Sequence, residues 1–177
     1  MDVKASPVDL TLRLPFINEE AEFLHARAAA TVDTPTFLHG YREGMSLQKY
    51  LSVLAERERD IDLPDSQVPA TFLFAFVAAR IVGRVAIRHR LTPGLEHEGG
   101  HIGYAVLPEF RRRGFATEIL RQAIPIAREK SGARKLLVTC DDQNVGSITV
   151  IERNGGSLEN VVVSRESGRA VRRYWIA

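Results

Sequence analysis

A chain of 177 residues with 45% apolar and 26% charged side chains is long enough to bury a core and too apolar to stay disordered. A formal net charge of +2, with a pI near 8.9, is too weak to imply nucleic-acid binding, and no run of about 18 apolar residues offers a membrane span. Cys140 is alone, which excludes an internal disulfide, and residues 1–7 hold no apolar signal region; a single cytoplasmic domain over 1–177 is expected.

Residues 8–14 alternate apolar and polar side chains, the pattern of a half-buried first strand, and Pro15 ends it. Asn18, Glu19 and Glu20 read as the cap and acidic first turn of a helix. Its inward stripe is Phe23, Leu24, Ala28 and Val32, and Pro35 stops it. Ser46 caps a second helix carrying Leu47, Tyr50, Leu51, Leu54 and Ala55, whose charged tail, 56–60, reads as a solvated face. Two strands follow at 71–78 and 81–88, joined by a tight turn near Ala79 and Arg80. A polar loop spans 91–100, and a fourth strand spans 101–107. The next helix turns Ile119, Leu120, Ala123, Ile124 and Ala127 inward, with Pro125 deep inside it, where a kink or weakened ladder is expected.

Residues 135–140 form the next strand. A short helix opens at Asn144 and ends by Gly156, and 161–163 with 171–176 make a final hairpin turning at Ser167 and Gly168. Neither face of that last strand is purely apolar, which suggests a cleft wall or a dimer contact. The order β-α-α-β-β-β-α-β-α-β-β predicts an α/β fold with helices on both faces of a mixed sheet.

The stretch Arg111-Arg112-Arg113-Gly114-Phe115-Ala116-Thr117 joins the fourth strand to the long helix. A helix start exposes unpaired N–H groups and the positive end of the dipole, a seat for phosphate. Gly114 lets a diphosphate approach the backbone, Ala116 is nearly as small, and the arginines add an attracting field. The plain alternative is a solvated basic turn.

In this setting R-x-x-G-x-A, with Arg111, Gly114 and Ala116, resembles the coenzyme A loop of the GNAT superfamily of acyl-CoA N-acyltransferases, whose signature is Q/R-x-x-G-x-G/A. The resemblance continues through strand 135–140, Asn144, Ser147 and the glycines after the next helix, covering about residues 100–156. It implies a GNAT-like fold whose sheet splays between its fourth and fifth strands. It also implies an N-acetyltransferase that passes an acetyl group from acetyl-CoA to a primary amine in a ternary complex.

By the same resemblance Ala105 and Val106 sit at the pantetheine and thioester end, with a backbone N–H near Val106 as the donor to the thioester oxygen. The backbone of Arg113, Gly114, Phe115, Ala116 and Thr117 meets the diphosphate, with the Thr117 hydroxyl and the Arg111 and Arg112 side chains as further candidates. Asn144 is a pantetheine partner or a plain helix cap, and Ser147 shares its face.

One departure stands out. Where many members carry a Tyr that protonates the leaving thiolate, this chain has Ile151; Tyr104 and Cys140 are substitutes. The general base is open among His101, the cluster 96–98, Asp141 and Asp142. No metal motif is present. Expected partners are a small-molecule or peptide amine, no nucleic acid, no membrane and, at family level, a homodimer. Two alternatives are a non-catalytic CoA-binding module and a nucleic-acid module built on Arg111–113, Arg169, Arg172 and Arg173.

Overall fold

The computed structural model describes residues 6–30, 37–64 and 66–177; the expected stripe position Val32 and the stop at Pro35 lie outside them, as do residues 1–5. The elements are β1 (Leu10–Arg13), α1 (Glu20–Ala29), α2 (Leu47–Glu58), β2 (Ala70–Val77), β3 (Arg80–Arg88), α3 (Pro93–His97), β4 (Ile102–Val106), α4 (Phe115–Ser131), β5 (Leu136–Asp141), α5 (Val145–Arg153), β6 (Gly156–Val163) and β7 (Ala170–Ile176). This is the expected order with one addition. The polar loop at 91–100 contains the short helix α3, started by Thr92, whose Oγ1 accepts from the Leu95 N–H, and by Pro93 in the first turn.

The strands form two sheets, β1-β2-β3-β4 and β5-β7-β6, and every laddered pair is antiparallel. The sheet expected to splay between its fourth and fifth strands does part there, into two antiparallel sheets meeting at β4 and β5. That seam closes at one end only. Gly100 bridges to Val138, the His101 N–H donates to Leu137 O at 2.7 Å, and the Leu137 N–H donates to His101 Nδ1 at 2.9 Å. Beyond this clasp the strands share no ladder.

Alternation along β3 sorts the two faces. Gly83, Val85 and Ile87 face α4; a Cβ on Gly83 would meet the Ile119 side chain at 2.9 Å, so α4 packs almost onto the backbone there. Arg84, Ala86 and Arg88 face α2. Between α1, α2 and the sheet lies a fully buried aromatic cluster of Phe23, Tyr50, Phe74 and Phe37, with edge-on and tilted ring contacts. On the other face the apolar stripe of α4, from Phe115 to Ala127, is buried against β3 and β4.

The tail of α2 is a solvated face only at Glu56, Arg59 and Asp60, which are exposed; Arg57 and Glu58 turn inward. Glu58 accepts from Thr71 Oγ1 and pairs with Lys130 Nζ, both at 2.8 Å, and the Arg57 Nε is buried. The last strand does not wall the cleft described below: β7 is the middle of its sheet, Arg172 is held by Asp142 at 2.6 Å, and Arg173 is held by Glu159 at 2.7 Å. Among the described residues no helix is long and apolar enough to cross a membrane.

Candidate active site

The open end of the seam is the mouth of a cleft of about 850 Å³, walled by β4, the loop into α4, and α5. Tyr104, Ala105, Val106, Arg111, Arg112, Gly114, Phe115, Ala116, Thr117, Asn144 and Ser147 all line it. Residues far apart in the chain are therefore brought to one surface.

The β4 wall presents backbone. Leu107 N–H donates to Val82 O at 3.0 Å and Arg88 N–H donates to His101 O at 2.8 Å, so residues 101, 103, 105 and 107 bond to β3. Antiparallel ladders alternate, and the N–H and C=O of Tyr104 and Val106 therefore point away from β3, into the seam. The Val106 carbonyl accepts from Arg111 Nε at 3.1 Å, consistent with that direction. Its N–H on the same edge is a donor aimed at the cleft.

The loop wall presents donors. Gly114 is the N-cap of α4 at φ 84°, a left-handed conformation in which a side chain is strained, and among the described residues no side chain caps this helix. The first ladder bond runs from the Glu118 N–H to Gly114 O at 3.2 Å. The N–H groups of Phe115, Ala116 and Thr117 are thus left without an intrahelical partner, at the positive end of the dipole. Arg112 also has a positive φ, 59°, so the loop curls its backbone around the helix start. These features suit a diphosphate. Arg113 turns aside, its guanidinium over the Phe110 and Phe115 rings at 5.7 and 5.5 Å.

The third wall is the start of α5. Asn144 Oδ1 accepts from the Ser147 N–H at 2.9 Å, a true N-cap. The Tyr104 hydroxyl crosses the cleft to Ser147 O at 3.4 Å, and burial pushes its pKa above the ordinary tyrosine value. Ile151, by contrast, is fully buried against Gly156 and faces the core.

The remaining candidates stand elsewhere. His101 is the clasp of the seam and does not line the cleft; burial, its largest cause, lowers its pKa. Asp141 pairs with Arg169 at 3.0 Å and caps the turn through the Gln143 N–H at 2.9 Å, also outside the cleft. Cys140 is half-buried, with burial raising its thiol to about 11, so it stays a protonated thiol at neutral pH. His97 and Glu98 are tied to the β6–β7 hairpin through Val163 O and Ser164 Oγ. Among the described residues no group of three metal-ligating side chains occurs. Two lining arginines carry no sequence motif: Arg153 at the end of α5, and the buried Arg84 of β3.

The sequence pattern of the acetyltransferase (GNAT) domain family matches residues 9–157. A search among curated proteins gives no match. Among solved structures the fold is similar to a microcin self-immunity acetyltransferase, MccE, in complex with acetyl-CoA and AMP (TM-score 0.66, 15% identity, 94% of this chain and 91% of that one). It is similar to RimL, a ribosomal-protein α-N-acetyltransferase in complex with coenzyme A (0.66, 16%, 94% and 93%). It is also similar to a GNAT-family acetyltransferase from Streptococcus pneumoniae (0.62, 17%, 94% and 97%).

Proposed function

The chain belongs to the GNAT acetyltransferase family, and from that premise we propose that the cleft at the β4–β5 seam is where it transfers an acetyl group from acetyl-CoA to a primary amine, directly and in a ternary complex. The observation that carries this is the meeting, in one cleft, of an outward-facing strand edge at Tyr104 and Val106 with the uncapped N-terminus of α4.

Acetyl-CoA supplies an acyl thioester, already activated toward an amine. The N–H groups of Phe115, Ala116 and Thr117, with the left-handed Gly114 and the Arg112 side chain, hold the diphosphate. The free edge at Tyr104 and Val106 orients the arm that follows, with Ala105 beside it in the cleft wall, and Asn144 and Ser147 face it from α5. The Val106 N–H is fixed by the strand and meets the oxygen on which negative charge develops; such preorganised donors are worth about 3 kcal/mol. Tyr104 keeps its proton at neutral pH because burial disfavours phenolate, and its hydroxyl is the proton source for the departing thiolate. His101 and Asp141 act through structure, the first as the seam clasp and the second in the β5–α5 turn. A single cytoplasmic domain over 1–177 belongs to the same proposal, supported by the lone reduced-thiol Cys140.

Calorimetric titration of acetyl-CoA into the wild type and a Gly114→Asp variant tests the site. Asp tolerates a left-handed backbone better than most residues but places a carboxylate where the diphosphate binds. Binding by the wild type and loss in a variant with an unchanged melting profile is expected. Equal binding by both would remove the diphosphate from this loop.

A further inference from the structure

Among the described residues the cleft is lined by Arg84, Arg111, Arg112 and Arg153 and by no carboxylate. Arg84 donates to Gly103 O and Arg111 to Val106 O, each at 3.1 Å, so both are engaged by β4. Arg112 and Arg153 differ. Among the described residues neither side chain has a hydrogen bond or an ion pair, and both are exposed. Arg112 belongs to the loop that seats the diphosphate. Arg153 stands on another element, the last turn of α5.

Its position along α5 gives Arg153 a meaning. The start of this helix faces Tyr104, whose hydroxyl reaches Ser147 O at 3.4 Å. Gly146, Val150 and Arg153 follow one another at helical spacing on the cleft side, so Arg153 lies about 10 Å along the axis from Gly146. At that end α5 leans on α4. The side-chain amide of Asn154 donates to Thr117 O at 3.2 Å and to Val150 O at 2.9 Å. Thr117 is in the first turn of α4, where the N–H groups left without a ladder partner form the diphosphate seat. One amide thus fixes the end of α5 against that seat, and Arg153 is the adjacent residue.

The cleft therefore presents, in order, the strand edge at Tyr104 and Val106, the N–H groups of residues 115–117, and Arg153. A coenzyme A thioester laid along it has its acyl end at the first and its diphosphate at the second. Beyond the diphosphate that molecule carries a ribose with a 3′-phosphate, a monoester with about two negative charges at neutral pH. The helix start and Arg112 answer the diphosphate, and the guanidinium of Arg153 is the group left over.

We infer that Arg153 binds the ribose 3′-phosphate of the donor. It thereby selects free acetyl-CoA over thioesters that lack this phosphate, those of 3′-dephospho-CoA and of phosphopantetheine carried on a protein. The inference rests on the acetyltransferase reading above and names its donor class. A guanidinium offers a phosphate two parallel N–H donors. Arg153 touches no reacting atom; it sets specificity for the donor.

CoA and 3′-dephospho-CoA differ by this one phosphate, so the pair isolates it. Both are titrated calorimetrically into the wild type, Arg153→Gln, Arg153→Lys and Arg112→Gln, with melting profiles to confirm folding. The wild type should bind CoA about tenfold more tightly than 3′-dephospho-CoA, the low end for a hydrogen bond between charged groups because the site is open to solvent. Arg153→Gln should close that gap by weakening CoA alone. Arg153→Lys keeps a point charge without the fork and should keep part of the gap. Arg112→Gln should weaken both ligands by the same factor, because they share the diphosphate. Added salt should narrow the wild-type gap.

Equal binding of the two ligands by the wild type, or a gap that survives in Arg153→Gln, overturns the inference and leaves the acetyltransferase reading standing. So does an Arg153→Gln variant that loses both ligands alike, since the arginine then acts through the shape of α5. Binding of neither ligand by the wild type overturns the acetyltransferase reading, and the inference with it.

Discussion

The hydroxyl of Tyr104 on β4 lies 3.4 Å from the carbonyl of Ser147 on α5, so one side chain spans the cleft between the two sheets. Burial raises its pKa, and a phenol held protonated across a cleft can donate a proton in the transition state. Tyr104→Phe keeps the ring and removes the donor. Turnover should fall about 10²-fold, in the usual range for one general acid, with acetyl-CoA affinity unchanged. Steady-state kinetics beside calorimetry separate the two, and unchanged kcat would assign the proton to water.

Ile151 occupies the position that resemblance assigns to a general-acid tyrosine, yet it is fully buried and its side chain packs on Gly156. Ile151→Tyr should therefore overpack the core rather than restore an acid. A loss of roughly 1–3 kcal/mol is expected in denaturant unfolding, with no gain in kcat. A stable variant with faster turnover would mean that α5 can rotate this position into the cleft.

What the sequence made legible was local. Residues 111–117 read as a phosphate seat in seven consecutive positions, and Gly114 does stand at the start of α4; its left-handed backbone was not part of that reading. Asn144 signalled its cap by residue type alone. The α3 helix also had a readable start in Thr92-Pro93, but five residues are too few to show a period. Arg84 was hidden for another reason. Its place in the cleft wall depends on the face of β3 that it takes and on the register that sets it opposite Ala105, neither of which is written in a local pattern. His101 looked catalytic because of its titration range; the fold uses the ring as a hydrogen-bond acceptor from Leu137 at 2.9 Å instead.

Three histidines make stability depend on pH with one sign. His39, His89 and His101 all have pKa values lowered from 6.5, first by burial, His39 to about 4. The unfolded chain binds more protons than the folded one in this window, so stability rises with pH up to about 6.5 and is lost as pH falls toward 4. The melting temperature should drop steadily between those values. His101→Asn should flatten the slope, since the side chain no longer titrates. A melting temperature independent of pH from 7 to 4 would contradict the burial of all three.

Pro125 sits inside α4, yet the helix runs unbroken from Phe115 to Ser131. A proline there lacks the N–H that would bond to the Arg121 carbonyl, and its ring crowds that turn. The position is exposed, so the orphaned carbonyl is on the solvent side and no core packing depends on the ring. The helix is held by its other face, where Ile119, Leu120, Ala123 and Ala127 are fully buried. Pro125→Ala should therefore restore a ladder bond without disturbing the core. The expected gain is about 1–3 kcal/mol, bounded by the helix-interior cost of proline and reduced by the greater freedom of alanine in the unfolded chain. Urea unfolding checks it, together with acetyl-CoA binding, which should not change because the cleft lies at the opposite end of the helix. A destabilised variant would show that the local geometry of the proline turn is needed to seat α4 on the sheet.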